Sequence, residues 1–522
     1  MNKFIYSLIA LLSITGLQAQ NPERPPKLVV TIVVDQLRGD YLQYFSSTFG
    51  EKGFKRLLNE GLVYHQADYG FPNLSEATSV AAVHTGTYPY YNGIAGNMKY
   101  DQDLKKEVSI VTDKDYLGNY TSEHYSPLAL QSSTIADELK KATQGSCDVF
   151  SIAPNPEQAI IAGGRSANAA LWLDNYNGKW ATSTYYKDIP WYLDRFNSTE
   201  TIGNFSEKTW IQGLSNYNGF PYSGSRKYFS YSFPKSDNDR YRKIKQTAII
   251  NEQVTNLANK ILEHAGFGSR SNPDLLALTY YAGNYPYAVN TDEYNYEIQD
   301  IYYKLDKELE KLFDMIERKV GMKNTLIVLT SSGYFDSTID LMSETQVFGK
   351  FYPNRCTALL NMYLIATYGN GQWVESYYDN QIYLNKKLAE EKELNWNSIV
   401  KDAADFVAQF SGVQEVTTLS QWLVDDIGRA ADFRRGMNKK YSGDLFIELQ
   451  PGWVVIEDES KLTVTNRECS ILSPTIFLGV HAKKEHIYRK IKVTQIAPTL
   501  SYILRIRPPN GTKDLPLQEF LK

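Results

Sequence analysis

Cysteine and histidine are both scarce in this chain, with three and six respectively in 522 residues. Cys147, Cys356 and Cys469 are too few for a disulfide scaffold and lack metal-motif spacing. Each is expected as a buried hydrophobic thiol, with a single disulfide left open. An excess of positive charge is missing too. With 55 Lys and Arg against 59 Asp and Glu, the balance is mildly acidic and offers nucleic acid no electrostatic footprint. Beyond the N-terminus no stretch approaches the roughly 18 to 20 apolar residues of a spanning helix, which excludes transmembrane insertion of the mature chain by a helix. Low-complexity tracts and internal repeats are absent.

The first 19 residues carry one positive charge, Lys3, then a mostly apolar run ending at Ala19. This is the pattern of a secretory signal peptide, with no cysteine near the cleavage point to take a lipid, so a periplasmic or secreted location is expected. The remaining 500 or so residues exceed what one compact core needs, which suggests one large domain with sizeable insertions.

Lys27-Leu-Val-Val-Thr-Ile-Val-Val34 reads as a strand buried on both faces, ending abruptly at Asp35. Phe54, Leu57 and Leu58 have helical spacing before a stop at Gly61, and Thr134-Ile-Ala-Asp137 has the form of an N-terminal cap. Strands are expected at 148–153, 274–281 and 325–330, with a long helix between the last two presenting Leu305, Leu309, Leu312, Phe313, Ile316 and Val320 on one face. Strand and helix alternate, so the fold class is α/β, with a mostly parallel central sheet and helices on both faces. In such a sheet the residues just past strand C-termini converge on one edge, here Asp35, Asn284 and Ser332.

Residues of about 175–265, rich in Tyr, Trp, Ser and Asn, read as an insertion able to cover that edge. A second insertion, about 343–440, opens with 354–369, read as short antiparallel strands, and continues with helices. Strand-like segments return at 445–449 and 474–478, and a terminal helix closes the chain at 494–504 with Pro498 in its first turn.

An Asp directly after a buried strand is well placed to hold a metal, but alone it serves equally as a loop cap or a partner for Arg38. More specific are Val33-Val-Asp-Gln-Leu-Arg-Gly-Asp-Tyr-Leu42, the Thr85-Gly86 turn, Asn92-Gly-Ile-Ala-Gly-Asn97, Ser166-Ala-Asn-Ala-Ala-Leu-Trp172 and Gly443-Asp-Leu-Phe-Ile-Glu-Leu-Gln-Pro-Gly-Trp453. Together they resemble the secreted alkaline phosphatases of Bacteroidetes, within the alkaline phosphatase superfamily. The resemblance covers residues 27–522 and implies that superfamily's α/β fold with insertions and a smaller subdomain. It also implies two zinc ions, a threonine nucleophile, and an Asn, Lys and Arg gripping the transferred phosphate.

Residue by residue, this chain departs from that pattern. Asp35 matches one metal ligand, but Asn284 and Ala288 stand where the family has Asp and His, and Ser332 and Gly333 where it has an adjacent Asp and His. The late histidine expected between 449 and 474 is missing. The nucleophile segment is one residue longer than usual, so Ser75, Glu76 and Thr78 compete for that position, with Ser75 at the family distance from Phe71-Pro72. Asn155 and Glu157 replace the phosphate-binding Lys and Arg, and Glu157 inverts the local charge. Asn97 alone survives from the phosphate contacts.

Of the histidines, His84 lies near the candidate pocket, and a metal-free Ser-His-Asp hydrolase pairing it with Ser75 or Ser332 is conceivable. His264 and His486 lie in charged, helix-like surroundings, and structural or surface roles are expected for all six histidines, His84 included. One histidine and Asp35 cannot build two zinc shells, each of which wants about four ligands. The expectation is therefore a pseudoenzyme without cofactor that binds an envelope or secreted protein or a glycan. The alternative is an atypical phosphate, sulfate or phosphonate ester hydrolase with two zinc ions.

Overall fold

A computed structural model describes residues 24–521, apart from 102–103, 188, 215–227, 288–294, 342–346, 425–428, 439, 462 and 470. The leader expected at 1–19 and the Ala288 position lie outside the described residues. The β-branched run that follows the early prolines forms strand β1 (Leu28–Asp35), buried along its whole length. It lies in the interior of a ten-stranded sheet with β2 (Leu62–Tyr64), β3 (Gly118–Asn119), β4 (Val149–Ala153), β5 (Ala169–Leu173), β6 (Trp180–Ser183), β7 (Asp274–Tyr281), β8 (Thr325–Ser331), β9 (Thr475–Gly479) and β10 (Glu485–Ile487). The order is β10-β2-β9-β8-β1-β7-β4-β5-β6-β3. The five strands from β8 to β5 run parallel, whereas β9 and β6 pair antiparallel on either side of them.

Alternate residues of β1 feed two cores. Val30, Ile32 and Val34 pack with Leu257 and Leu309, while Val29 and Val33 pack with Val80, Ile160 and Ile496. The apolar layers belong to helices on opposite faces: α1 (Glu76–Thr85) and α2 (Pro156–Gly163) on one, α3 (Ala248–His264) and α4 (Asn295–Lys319) on the other. This is the expected mostly parallel α/β sheet covered on both sides. Parallel strands need crossovers, and each crossover must bury its apolar stripe on the sheet.

The Thr134 cap is a reciprocal capping box with Asp137, as its spacing predicts. Gly61 ends its helix by a different route from a left-handed turn, because its φ is −85°. A Cβ there would lie 2.5 Å from the Leu57 carbonyl oxygen, so close approach is what requires glycine. The expectation of strands at 354–369 is wrong: Pro353–Tyr368 is a helix. Its Thr, Tyr and Ile suit strands, but Cys356, Leu360 and Leu364 form a buried stripe four residues apart, and tertiary burial overrides propensity.

That helix and Trp396–Val407 pack on a small antiparallel sheet ordered 374–378, 381–384, 445–449, 413–418, around an apolar cluster of their own. A two-stranded ribbon, Phe335–Asp340 against Thr463–Glu468, continues from the end of β8 and sets Asp336 opposite Arg467. All three cysteines are free. Cys147 and Cys356 are buried as expected, but Cys469, just past the ribbon, is exposed and corrects that reading. His486 corrects another, since it sits in strand β10, hydrogen-bonded to His65, rather than in a helix.

Candidate active-site cavity

The parallel strands point their C-termini at a cavity of about 330 Å³ lined by Asp35, Gln36, Glu76, Asn155, Lys245, Asp336 and Arg467, among others. Asp35, the last residue of β1, is 2% exposed, and its Oδ1 has no hydrogen-bond partner among the described residues. Burial pushes its pKa up to about 6, against the pull of the Tyr334 and Ser332 hydroxyls. The chain turns sharply after it: Gln36 has φ 61°, in the left-handed region unusual for a residue with a side chain. That turn is held by the Gln36 N–H donating to Ser332 Oγ at 2.8 Å and by Gln36 Oε1 accepting from the Asp336 N–H at 3.0 Å.

Ser332 is further fixed because its carbonyl accepts from Ser79 Oγ at 2.6 Å. Asn284 is buried beyond β7, with Nδ2 donating to Thr338 Oγ1 at 3.2 Å and Oδ1 unpartnered among the described residues. Neither residue offers a metal the anionic or imidazole ligand the family uses at that position.

The structure brings Ser75, Thr78 and Asn97 together at the N-terminus of α1. Ser75 is the N-cap: its backbone N–H donates to Thr78 Oγ1 at 2.8 Å, and its Oγ accepts from the Thr78 N–H at 3.3 Å. Asn97 Oδ1 accepts from the Ala77 N–H at 2.9 Å. The two hydroxyls and the amide thus serve the orphan N–H groups of a helix start, and among the described residues neither hydroxyl hydrogen-bonds a histidine or a carboxylate.

Asn155 caps α2 and bridges two charges: Nδ2 donates to Glu76 Oε2 at 2.8 Å, and Oδ1 accepts from Lys245 Nζ at 3.1 Å. Lys245 also donates to Asn175 Oδ1 at 2.6 Å. Glu76 is pushed up to about 8, by burial first and then by the like charges of Asp35 and Glu157. Lys245 is pushed down to about 8, also by burial first. Glu157 accepts from the Ser109 hydroxyl, and burial raises its pKa as well.

Three cations lining this cavity, Arg242, Lys245 and Arg467, have no counterpart among the sequence-predicted residues. Lys245 ends a basic run from Arg240 just before α3, and Arg467 lies in the interval from which the family histidine is missing. Arg467 grips Asp336 with Nε and Nη2, both at 2.7 Å, donates through Nη1 to the Leu74 carbonyl at 2.9 Å, and lies 4.2 Å from the centroid of the Tyr334 ring.

His84 does not join the site. It sits nine residues after Ser75, about 13 Å further along α1. Its Nδ1–H donates to the Val80 carbonyl at 3.0 Å and its Nε2 meets Thr31 Oγ1 at 3.1 Å. Burial pushes its pKa down to about 4, so it is a neutral core histidine, and no Ser-His pair is assembled. Among the described residues no three His, Cys, Asp or Glu side chains converge where a metal ion could be held. The donor set does not fit a pair of zinc ions.

Beyond Ser75 and Asn97 opens a larger groove of about 720 Å³ towards the small sheet, with Trp422, Trp453, Tyr378 and Arg467 among its lining.

The fold and the position of this cavity define an α/β scaffold of the alkaline phosphatase type. The family model for type I phosphodiesterase / nucleotide pyrophosphatase matches residues 29–471, and the chain belongs to that family. Relatives include a protein named calcium-transporting ATPase from Myroides odoratus, 29% identical over 99% of this chain and 98% of its own length. Alkaline phosphatase PafA from Elizabethkingia meningoseptica is 26% identical, with 99% of each chain covered. The crystal structure of wild-type PafA superposes with a TM-score of 0.78 at 26% identity, covering 96% of this chain and 99% of that one. Among the described residues no helix is long and apolar enough to cross a membrane.

Proposed function

We propose that this protein is an exported, catalytically degenerate member of its family that binds a protein or glycan of the cell envelope through the groove and cavity at the sheet edge. One observation carries this reading: the cations and the helix-start hydroxyls at the site are spent on neighbouring groups. Lys245, Asn155 and Glu76 form a chain, Arg467 is committed to Asp336, and Ser75 and Thr78 cap each other's helix start. A phosphate-ester hydrolase needs an activated nucleophile and cations aimed at the transferred group, and these residues serve neither end. The groove nonetheless stays open, and its lining combines Tyr378, Trp422 and Trp453 with amide and charged side chains, chemistry suited to sugars and peptides. Export rests on the leader read at 1–19, and a periplasmic or secreted location follows from it.

A second reading, hydrolysis of a phosphate, sulfate or phosphonate ester through an atypical centre, draws on the carboxyls of Asp35 and Glu76, whose pKa values of about 6 and 8 suit proton transfer near neutrality. One experiment separates the two. Protein purified with zinc present is assayed for metal content and for hydrolysis of p-nitrophenyl phosphate and its diester, then titrated with soluble peptidoglycan fragments while tryptophan fluorescence is followed. Metal-free, inactive protein with a saturable fluorescence change supports the binding reading. Near-stoichiometric zinc, with esterase activity abolished in Asp35→Asn, establishes the hydrolase.

A further inference from the structure

A relative that loses its metal ligands keeps a problem of charge. Asp35 remains buried at the end of β1, and Asp336 and Glu76 face the same cavity. Acidic groups gathered in one cavity hold their protons rather than ionise together unless a cation compensates them. The cavity lining supplies one that is delivered by backbone register rather than drawn from solution. The ribbon pairs Asp336 directly opposite Arg467, so the two side chains meet across the strands.

The resulting contact is bidentate, with the Asp336 side chain 19% and the Arg467 side chain 39% exposed. Both Asp336 oxygens are engaged, at 2.7 Å each, in the bidentate fork that only a guanidinium offers. The third nitrogen reaches the Leu74 carbonyl at 2.9 Å, tying in the segment that leads to Ser75. The flat face lies on the ring of Tyr334, which is fully buried. The same charge also lowers the proton affinities of Asp35 and Glu76, so it is felt beyond its direct partner.

We infer that the Arg467 guanidinium is a built-in cation that compensates the carboxylates at this sheet edge, in place of any dissociable metal ion, and that the folded state is thereby independent of metal. The inference goes beyond the binding reading and holds whichever ligand the groove accepts.

The test is thermal unfolding of the full exported chain with three probes: EDTA, zinc chloride, and millimolar guanidinium chloride matched against sodium chloride of equal ionic strength. The wild type is expected to melt at one temperature in all of them. Arg467→Ala should melt several degrees lower, and guanidinium, but not sodium, should restore part of the loss by refilling the fork.

The double variant Arg467→Met with Asp336→Asn removes both charges. It should lie closer to the wild type than Arg467→Ala does and show no response to guanidinium. A wild type that loses stability in EDTA or gains it with zinc overturns the inference, as does an Arg467→Ala protein indifferent to guanidinium. Should Arg467→Ala fail to fold, the double variant decides: its folding supports charge compensation, and its failure shows that Arg467 acts by packing alone and refutes it.

Discussion

Glu76→Gln isolates the electrostatic cost built into this cavity. In the folded chain Glu76 keeps its proton up to about pH 8, whereas the unfolded chain releases it near 4.5. Between those values the folded form binds the extra proton, so the stability linked to this group is full below about 4.5 and is lost as pH rises through 8. Moving a carboxyl over that range corresponds to about 5 kcal/mol in a rigid site. Water entering the cavity and adjustment of Lys245 reduce the expected effect to about 2 kcal/mol. Asp35 acts in the same direction between 3.8 and about 6, so the interval from pH 6 to 8 reports mainly Glu76.

Lys245 has the opposite sign. Its folded pKa of about 8 lies below the ordinary 10.5, so the stability linked to it is full above 10.5 and is lost as pH falls through 8. Wild-type stability should therefore pass through a local minimum near pH 8. Urea unfolding at intervals from pH 5 to 10, followed by tryptophan fluorescence, measures this. Glu76→Gln should match the wild type at pH 5, remove most of the decline between 6 and 8, and be the more stable protein at 8. The reasoning fails if wild-type stability is flat or rising over that interval, or if the variant is destabilised equally at pH 5 and pH 8.

Asn155→Ala removes the bridge between Glu76 and Lys245 and should cost about 1–3 kcal/mol, because it deprives the Glu76 carboxyl and the buried Lys245 ammonium of a hydrogen-bond partner; the urea midpoint at pH 7 checks it. Thr78→Val keeps the side-chain shape but breaks the capping box with Ser75, for an expected loss of about 1 kcal/mol. Unchanged stability in that variant would mean the hydroxyl is not spent on the helix start.

The sheet was legible because strands buried on both faces leave a continuous apolar run, as in 27–34, 274–281 and 325–330, and because the resemblance supplied the order. The helix at 353–368 was not, since its β-branched and aromatic residues mask a stripe of only Cys356, Leu360 and Leu364. At the site, the placing of Asp35, Asn284 and Ser332 follows from one rule about parallel strands. Lys245 and Arg467 come from segments whose relation to the sheet edge no local pattern discloses. A basic run before a helix and an arginine in an alternating strand are ordinary surface features until tertiary structure sets the buried Lys245 and the partly exposed Arg467 at one cavity. Glu76 is legible in sequence only as a competitor for the nucleophile position and Asn155 as the replacement of a lysine, yet that they bind each other is a fact of three dimensions.

This asymmetry has a physical origin. Comparing positions with a family pattern reveals which ligands are gone, because a ligand position is fixed by the strand that carries it. It does not reveal which groups answer the charge left behind, because any cation that can reach the cavity satisfies electrostatics, whatever element bears it. Arg467 reaches it from a ribbon and Lys245 from the turn before α3, and both meet carboxyls or amides that the strands and helix starts hold in place. A scaffold built around an ion at this edge can dispense with it only if the chain itself brings positive charge there, and a side chain so committed is no longer free to act on a substrate.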